Sequence, residues 1–433
     1  MDIENVKDEV TALVLGDSEV TPTDIRKEGA EYVYNFAKKV IDTTGPRLPG
    51  TEEEALGAQV VAEEMEKATG SKAFIEKFKL APKASIACIP CCGWAGFIAA
   101  ILYYVSPIAS LIVSAGAFLY AILQIFTYSG ALDKLWIQHE SQNVWSEVLP
   151  EDGKYDYTIM FSGHIDSSWL CKLFLKSPKT AVAKIALGVV GILVVIVVSA
   201  VRVGLGELFF WAAEVDAGSI TCAALNAVTL ITSAMLAQYI TWNKKVASPG
   251  AMDNLTGVGF SVYMAKYFKE HPEEMPKNCR IVCAGLGSEE AGLKGSFAYV
   301  KAHKDEEKFK NTYVINIDSV RDFDHFNVVK GDLWLFSHFD KELIEAAKDS
   351  MRDAGHKPGV IVNPVGGCDS TPFYRAGLKT VTMIAQNPNV TDYYHTYKDT
   401  VEGLNKDTLA DFTTALISMT KRVAEIEEKK RAE

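Results

Sequence analysis

From Ala84 to Leu132 the chain carries no Asp, Glu, Lys, Arg or His. That single stretch limits the available folds more than any other feature. It divides at Ser106-Pro107 into Ile86–Val105 and Ile108–Tyr128. Each half has the roughly 20 apolar residues a helix needs to cross a bilayer. A second apolar stretch divides into Ala181–Val203 and Ser219–Trp242, joined by GLGELFFWAAEVDAG with Glu207, Glu214 and Asp216. The pattern predicts two helical hairpins and four membrane spans. The alternative is a set of buried core helices, an apolar lid or an oligomer interface. A core helix normally keeps a wet face, and the first insert offers none. Lys184 and Arg202 sit near the ends of the third predicted helix, where long cations snorkel.

Flanking charge sets an orientation. Lys79, Lys83, Lys134, Lys172, Lys176, Lys179, Lys244 and Lys245 all lie where the chain enters and leaves the hairpins, whereas the tips are neutral or acidic. The positive-inside rule predicts a multi-pass cell-membrane protein with its body and both termini on the cytoplasmic side. MDIENVKDEV has neither a basic n-region nor an apolar h-region, so no cleaved signal peptide is expected. The net charge of −11, without any run of Lys and Arg, argues against a nucleic-acid partner. A hydrophobic content of 48% with 23% charged residues excludes a disordered chain of 433 residues. The eight cysteines show no disulfide spacing, and Cys88, Cys91 and Cys92 read as small apolar residues of the insert.

Outside the inserts, short apolar runs alternate with helical patterns. Ala73–Leu80, Asn143–Val148, Tyr157–Ser162, Arg280–Gly285, Tyr313–Ile317 and Thr380–Ile384 read as strands. Thr256–Lys269, Gly292–His303, Lys341–Asp353 and Lys406–Glu427 read as helices, with a surface helix over Thr23–Asp42 and a fraying tail, EIEEKKRAE. The expected fold is α/β, with a mixed, largely parallel central sheet flanked by helices. The expected division is a catalytic body over 1–83, 133–179 and 244–433, a first hairpin over 84–132 and a second over 180–243.

Residues that bind metal or move protons cluster at the ends of these strands. His164 and Asp166 end YTIMFSG, and their alternate spacing puts both on one face of an extended segment. A ligating His fixes its tautomer by donating its second nitrogen to a carboxylate or carbonyl, and Asp166 is placed to serve such a role. Asp253 in PGAMDN is either a ligand or a helix cap. Glu289 and Glu290 follow RIVCAGL, and adjacent carboxylates point apart and can do different work. Asp318 closes YVINI, where a carboxylate is costly without a partner. His395 lies in a polar loop after two tyrosines. Two His, two Asp and a Glu suit two metal ions that share a carboxylate and leave room for a water.

As a set, these pieces resemble the di-zinc aminopeptidases of metallopeptidase clan MH, a group that includes bacterial leucyl aminopeptidases, glutamate carboxypeptidase and glutaminyl cyclase. The matching segments are H-I-D, P-G-A-M-D-N-L-T-G, S-E-E-A-G-L-K-G-S, N-I-D-S and Y-H-T-Y-K-D-T. Weaker matches are Gly45–Gly50, Asn143-Val144 and Cys368–Phe373. The resemblance implies an exopeptidase with two Zn2+ per chain, for which Co2+ or Mn2+ are possible substitutes. It implies that Asp253 bridges, that His164 and Asp318 complete one site, and that Glu290 and His395 complete the other. Glu289 is then the general base toward a zinc-bridging water, Asp166 orients His164, and the Asp253-Asn254 peptide is cis. Tyr394 is a candidate for stabilising the oxyanion. Asp369 and Phe373 are candidates for the substrate pocket. The expected partners are a peptide substrate and the lipid bilayer, the membrane edge lying near the site and restricting substrates to short or membrane-associated peptides. The competing readings are another amide hydrolase or a cyclase of the same fold, and a non-catalytic membrane scaffold.

Overall fold

The computed structural model describes residues 22–128, 130–208, 217–237, 246–364 and 366–432. Glu214, Asp216, Lys244, Lys245, the end of the fourth predicted span and the N-terminal 21 residues lie outside them.

Among the described residues the body has eight strands: β1 Phe74–Leu80, β2 His139–Val148, β3 Tyr157–His164, β4 Cys279–Leu286, β5 Thr312–Val320, β6 Phe326–Asp332, β7 Gly359–Asn363 and β8 Lys379–Ala385. They form one sheet in the order β1-β2-β4-β3-β5-β8-β6-β7. The central four, β4, β3, β5 and β8, run parallel. Side chains alternate across a strand, so both faces need cover. On one face Ile159, Phe161, Ile281, Cys283, Ile315 and Ile317 pack in a core shared with helices Pro22–Thr44, Thr256–Glu270 and Lys406–Ala432. On the other, Met160, Val282 and Val314 pack against Tyr299 of helix Lys294–His303 and Phe373 of helix Ser370–Arg375. Backbone touches backbone at Gly163, where a Cβ would lie 2.5 Å from the carbonyl carbon of Gly257. The mixed, largely parallel α/β sheet expected from the sequence is therefore present.

Four departures are informative. Helix Glu52–Thr69 and strands β6 and β7 were not anticipated. The tail does not fray: helix Lys406–Ala432 continues because buried Glu427 accepts from the Tyr313 hydroxyl at 2.7 Å and from Arg431 Nε at 3.2 Å. Arg202 does not snorkel. It turns inward, pairs with Glu207 at 2.6 Å and lies over the Tyr103 ring.

The apolar inserts fold as helices Pro82–Leu102, Pro107–Ala121 (extended by a π-turn, Ile122–Phe126), Pro178–Gly204 and Ala217–Ala237. Among the described residues, Pro82–Leu102, Pro107–Phe126 and Lys179–Gly204 are long and apolar enough to cross a membrane, and Gly218–Ala234 is a shorter apolar helix. The four pack together as a bundle that buries small polar side chains alongside apolar ones such as Ala99, Ala100, Ile192 and Val195, and that exposes many aliphatic side chains. Ser110, Ser114, Ser199, Asn226, Thr229 and Ser233 are buried, whereas Ile112 is 66% exposed and Ile231 67% exposed. Ser199 Oγ donates to Ser110 Oγ at 2.9 Å, and Asn226 Nδ2 to the Ala100 carbonyl at 2.8 Å. Close approach needs small residues: a Cβ on Gly191 would meet Thr232 Oγ1 at 2.1 Å.

Strand directions fix where the bundle sits. β1 and β4 are each antiparallel to β2, so the exit from β1 and the entry to β2 share an edge with the C-terminal ends of β3 and β4. Both hairpins therefore leave the body at the edge where the parallel strands end.

Candidate active site

Ligand sites in parallel α/β sheets form outside the carboxyl ends of the strands, and the expected residues converge there. His164 ends β3, Glu289 and Glu290 follow β4, Asp318 lies near the end of β5, and His395 lies in the loop after β8. Asp253 sits between them in the turn before helix Thr256–Glu270. It caps nothing: that helix starts after Leu255, and Asn254 Oδ1 instead accepts from Gly257 N at 3.0 Å. The Asp253-Asn254 peptide is cis.

Two donor sets share Asp253. One is His164, Asp253 and Asp318; the other is Asp253, Glu290 and His395. His164 Nε2 lies 3.1 Å from Asp253 Oδ1 and 4.0 Å from Asp318 Oδ1. His395 Nε2 lies 3.1 Å from both Asp253 Oδ2 and Glu290 Oε1. Both oxygens are buried and neither accepts a hydrogen bond. A nitrogen and two oxygens thus converge without a shared proton, an arrangement that a cation completes.

The charge balance calls for the same thing. Burial pushes the Asp318 carboxyl up to about 7, opposed by His164 and reinforced by Asp253. Burial also raises Glu289 well above its ordinary range, with His164 pulling it down and Glu290 pushing it up. Asp253 goes the other way: burial opposes its charge, but His164 and His395 hold it below the usual carboxylate range. His164 is raised despite burial, because Asp166 and Asp253 favour its cation. This imidazole-and-carboxylate set fits zinc, whose usual ligands are nitrogen and carboxylate oxygen.

Asp166 is fully buried, but its carboxylate does more than face the imidazole. Oδ1 accepts from Glu289 N at 2.9 Å and Oδ2 from Glu290 N at 3.0 Å, so it grips the two-glutamate turn from below. Toward His164 Nδ1, the nearer acceptor is the Asp166 carbonyl, at 3.1 Å against 3.5 Å for the carboxylate. Tyr394 stacks on the His395 ring with centroids 4.0 Å apart. Asp369 is buried with both oxygens lacking a hydrogen bond, and its charge acts on both Glu289 and Asp318. Phe373 is a correction. Its ring is fully buried against Tyr299 in the core and does not line the cavity at the site.

Four supporting residues were not anticipated as such. Asp399 accepts from Met252 N at 2.8 Å and Asp253 N at 3.1 Å, fixing the backbone of the shared carboxylate. Arg47 is fully buried and donates to the carbonyls of Ile165 at 2.8 Å and Gly250 at 3.1 Å, tying the His164 and Asp253 segments together. Glu54 accepts from Ser288 Oγ at 2.8 Å. Tyr128, at the exit of the first hairpin, is half-buried and lines the cavity beside Glu290. The sequence signals were Thr51-x-x-Glu54, a capping box, and the position of Asp399 inside the Y-H-T-Y-K-D-T match.

Residues 236–420 match the model of peptidase family M28. Aminopeptidase YwaD of Bacillus subtilis (strain 168) is 30% identical over 185 residues, which is 39% of this chain and 37% of that relative, so the match spans little more than a third of its length. In fold, the chain is similar to BSAP, a zinc aminopeptidase from Bacillus subtilis, with a TM-score of 0.55 at 15% identity, covering 91% of this chain and 94% of that one. It is also similar to a glutaminyl cyclase from an Acidobacteriales bacterium, with a TM-score of 0.51 at 13% identity, covering 92% and 95%. The family resemblance read from the motifs therefore stands: by sequence over 236–420 and by fold beyond it, this chain is similar to the zinc aminopeptidases of peptidase family M28.

Proposed function

We propose that this protein is a membrane-anchored, metal-dependent aminopeptidase. The observation that carries the reading is the pair of donor sets sharing Asp253, with Glu289 adjacent and free of either set. The family match over 236–420 supports a peptidase.

His164 and Asp318 with Asp253 would hold one zinc, and Glu290 and His395 with Asp253 would hold the second; Co2+ and Mn2+ would suit the same donors. Zinc, when bound, supplies Lewis acidity and lowers the pKa of a water toward neutrality. Glu289 takes the proton of the attacking water and returns it to the leaving amine, a role its place beside both donor sets and outside them supports. Asp166 keeps Glu289 and Glu290 in register through their N–H groups. Tyr394, stacked on His395, donates its hydroxyl to the carbonyl oxygen as negative charge builds. Asp369, buried near Glu289 and Asp318, adds negative charge behind the site that favours an ammonium on the substrate.

The same reading makes 1–83, 133–179 and 244–433 the catalytic body, and 84–132 and 180–243 membrane hairpins. The bundle supports this because it buries several hydroxyls and an amide while many of its aliphatic side chains are exposed. Water favours the opposite arrangement, whereas lipid favours small polar helix contacts. The lysine distribution puts the body on the cytoplasmic side.

The test is hydrolysis of leucine amide by detergent-purified protein before chelation, after chelation and after zinc is restored. Activity lost and then restored supports the reading. Activity that survives complete metal removal overturns it.

A further inference from the structure

A cavity of about 220 Å3 joins the donor cluster to the apolar bundle. That is far more than the roughly 10–15 Å3 one water needs. Glu290 and His395 form one end of it. Its walls come from three of the apolar helices: Ile86 and Ile89, Phe118, and Ile185, Val189 and Ile192. The body closes it with Trp169 and Trp334, the latter packed on Phe126 at 4.9 Å between ring centroids.

A pocket wall in this fold is ordinarily made by the loops of the sheet edge. Here a large part of it is membrane-helix side chain. The chain arrangement explains why: both hairpins leave at the edge where the site forms, so the bundle interior and the donor cluster meet face to face. The donors and Tyr128 line it together with Ser85, Ser168 and Gln124, and most of the remaining lining is aliphatic and aromatic. Such a space penalises a charged or strongly hydrated side chain, and it rewards a hydrocarbon chain whose reactive carbonyl ends at Glu290 and His395.

We propose that this cavity receives the aliphatic chain of the substrate, making the protein a hydrolase of long-chain aliphatic amides, with the chain lying among the hairpin helices and the amide at the donor cluster. The inference rests on the amide-hydrolase reading above and adds the substrate class. The chain can belong to the acyl side or the amine side of the scissile bond, and the test separates the two.

The experiment uses the full-length, zinc-loaded protein in detergent. One substrate series lengthens the side chain of an aminoacyl amide from methyl to octyl, and a second lengthens an N-alkyl group on leucine amide over the same range. Ile89→Phe and Val189→Phe narrow the cavity without touching a donor residue. A brominated alkyl amide added to protein with hydrolysis blocked by Glu289→Gln reports, by tryptophan quenching, whether a chain reaches Trp169 and Trp334. We expect kcat/KM to rise on the order of fourfold per methylene in one series. Both narrowing substitutions should flatten that rise, and quenching should be lost with them. Hydrolysis of short amides with no dependence on chain length, and quenching unaffected by the substitutions, would overturn the inference while leaving the aminopeptidase reading in place. No hydrolysis of any amide, combined with quenching that the substitutions abolish, would keep the chain in the cavity and overturn the reading of the reaction.

Discussion

Replacing Asp166 by Asn tests how the catalytic turn is held. The carboxylate is fully buried and accepts one N–H on each oxygen, from Glu289 at 2.9 Å and Glu290 at 3.0 Å. Asn keeps the volume but offers one acceptor and one donor. One of the two N–H groups then faces another N–H. A hydrogen bond to a charged group contributes about 1.5–3 kcal/mol net. Other bonds hold the rest of the turn: the Glu289 carbonyl accepts from Gly292 N and Leu293 N, both at 2.8 Å, and the Ser288 hydroxyl donates to Glu54, but the N–H groups of Glu289 and Glu290 have Asp166 as their acceptor. If the lost contact displaces Glu289 and Glu290, the whole amount appears in the barrier, roughly a 10- to 150-fold fall in kcat/KM at about 1.4 kcal/mol per decade. The assay is leucine amide hydrolysis at saturating zinc, with bound metal counted after dialysis and the unfolding midpoint measured alongside. The reasoning predicts a loss in that range with a fold that still melts cooperatively. A fall of less than about threefold with full metal retention would refute it, because the turn would then be held by something other than Asp166.

Gly163→Ala should destabilise the body by about 3 kcal/mol, since its Cβ collides with the backbone of Gly257 and Val258 and neither side can yield; a shift of the denaturation midpoint smaller than a third of that would be contrary evidence. Glu427→Ala should cost about 1–2 kcal/mol by stranding the Tyr313 hydroxyl, visible as earlier thermal unfolding. The His303–Glu76 pair, at 3.0 Å, should stabilise in a pH window. His303 is raised chiefly by Glu76, so its share is complete below its ordinary value and is lost as pH rises through the elevated one. Glu76, lowered by His303 and Trp145 against the cost of burial, gives a share that is lost as pH falls through its depressed value. His303→Phe should therefore cost most between about pH 4.3 and 6.5 and little at pH 10, with a maximum near 1 kcal/mol because the pair is partly solvated; a cost that grows with pH would contradict this.

The donors at strand ends were legible because each follows an apolar run, and a buried parallel strand reads as such a run, whereas Asp253 and His395 were legible only through their motifs. His164 after YTIMFSG and Asp318 after YVINI are of this kind. The shell around them was not. Arg47 acts through carbonyls of segments 118 and 203 residues away, and no local pattern announces that. Asp399 was inside a matched motif, but its contact is to the backbone of Met252 and Asp253, which only the fold brings near. β7 was missed because GVIVN lies at the sheet edge, half-exposed and flanked by Pro358 and Pro364. Phe373 was misread because one aromatic residue after a candidate ligand looks the same in sequence whether it faces a pocket or the core. The inserts were legible as helices from their lack of charge, yet pairings such as Ser199 with Ser110 follow only from how four helices pack.

The most direct test of the central claim is metal stoichiometry and leucine amide turnover measured together on the parent protein and on Glu289→Gln. Glu289 lies outside both donor sets but beside them. The account predicts two zinc ions per chain in both proteins and a turnover lower in the variant by about 10²–10⁴-fold, the usual contribution of a general base. Equal turnover in the two proteins, or a variant that loses its metal along with its activity, would contradict it.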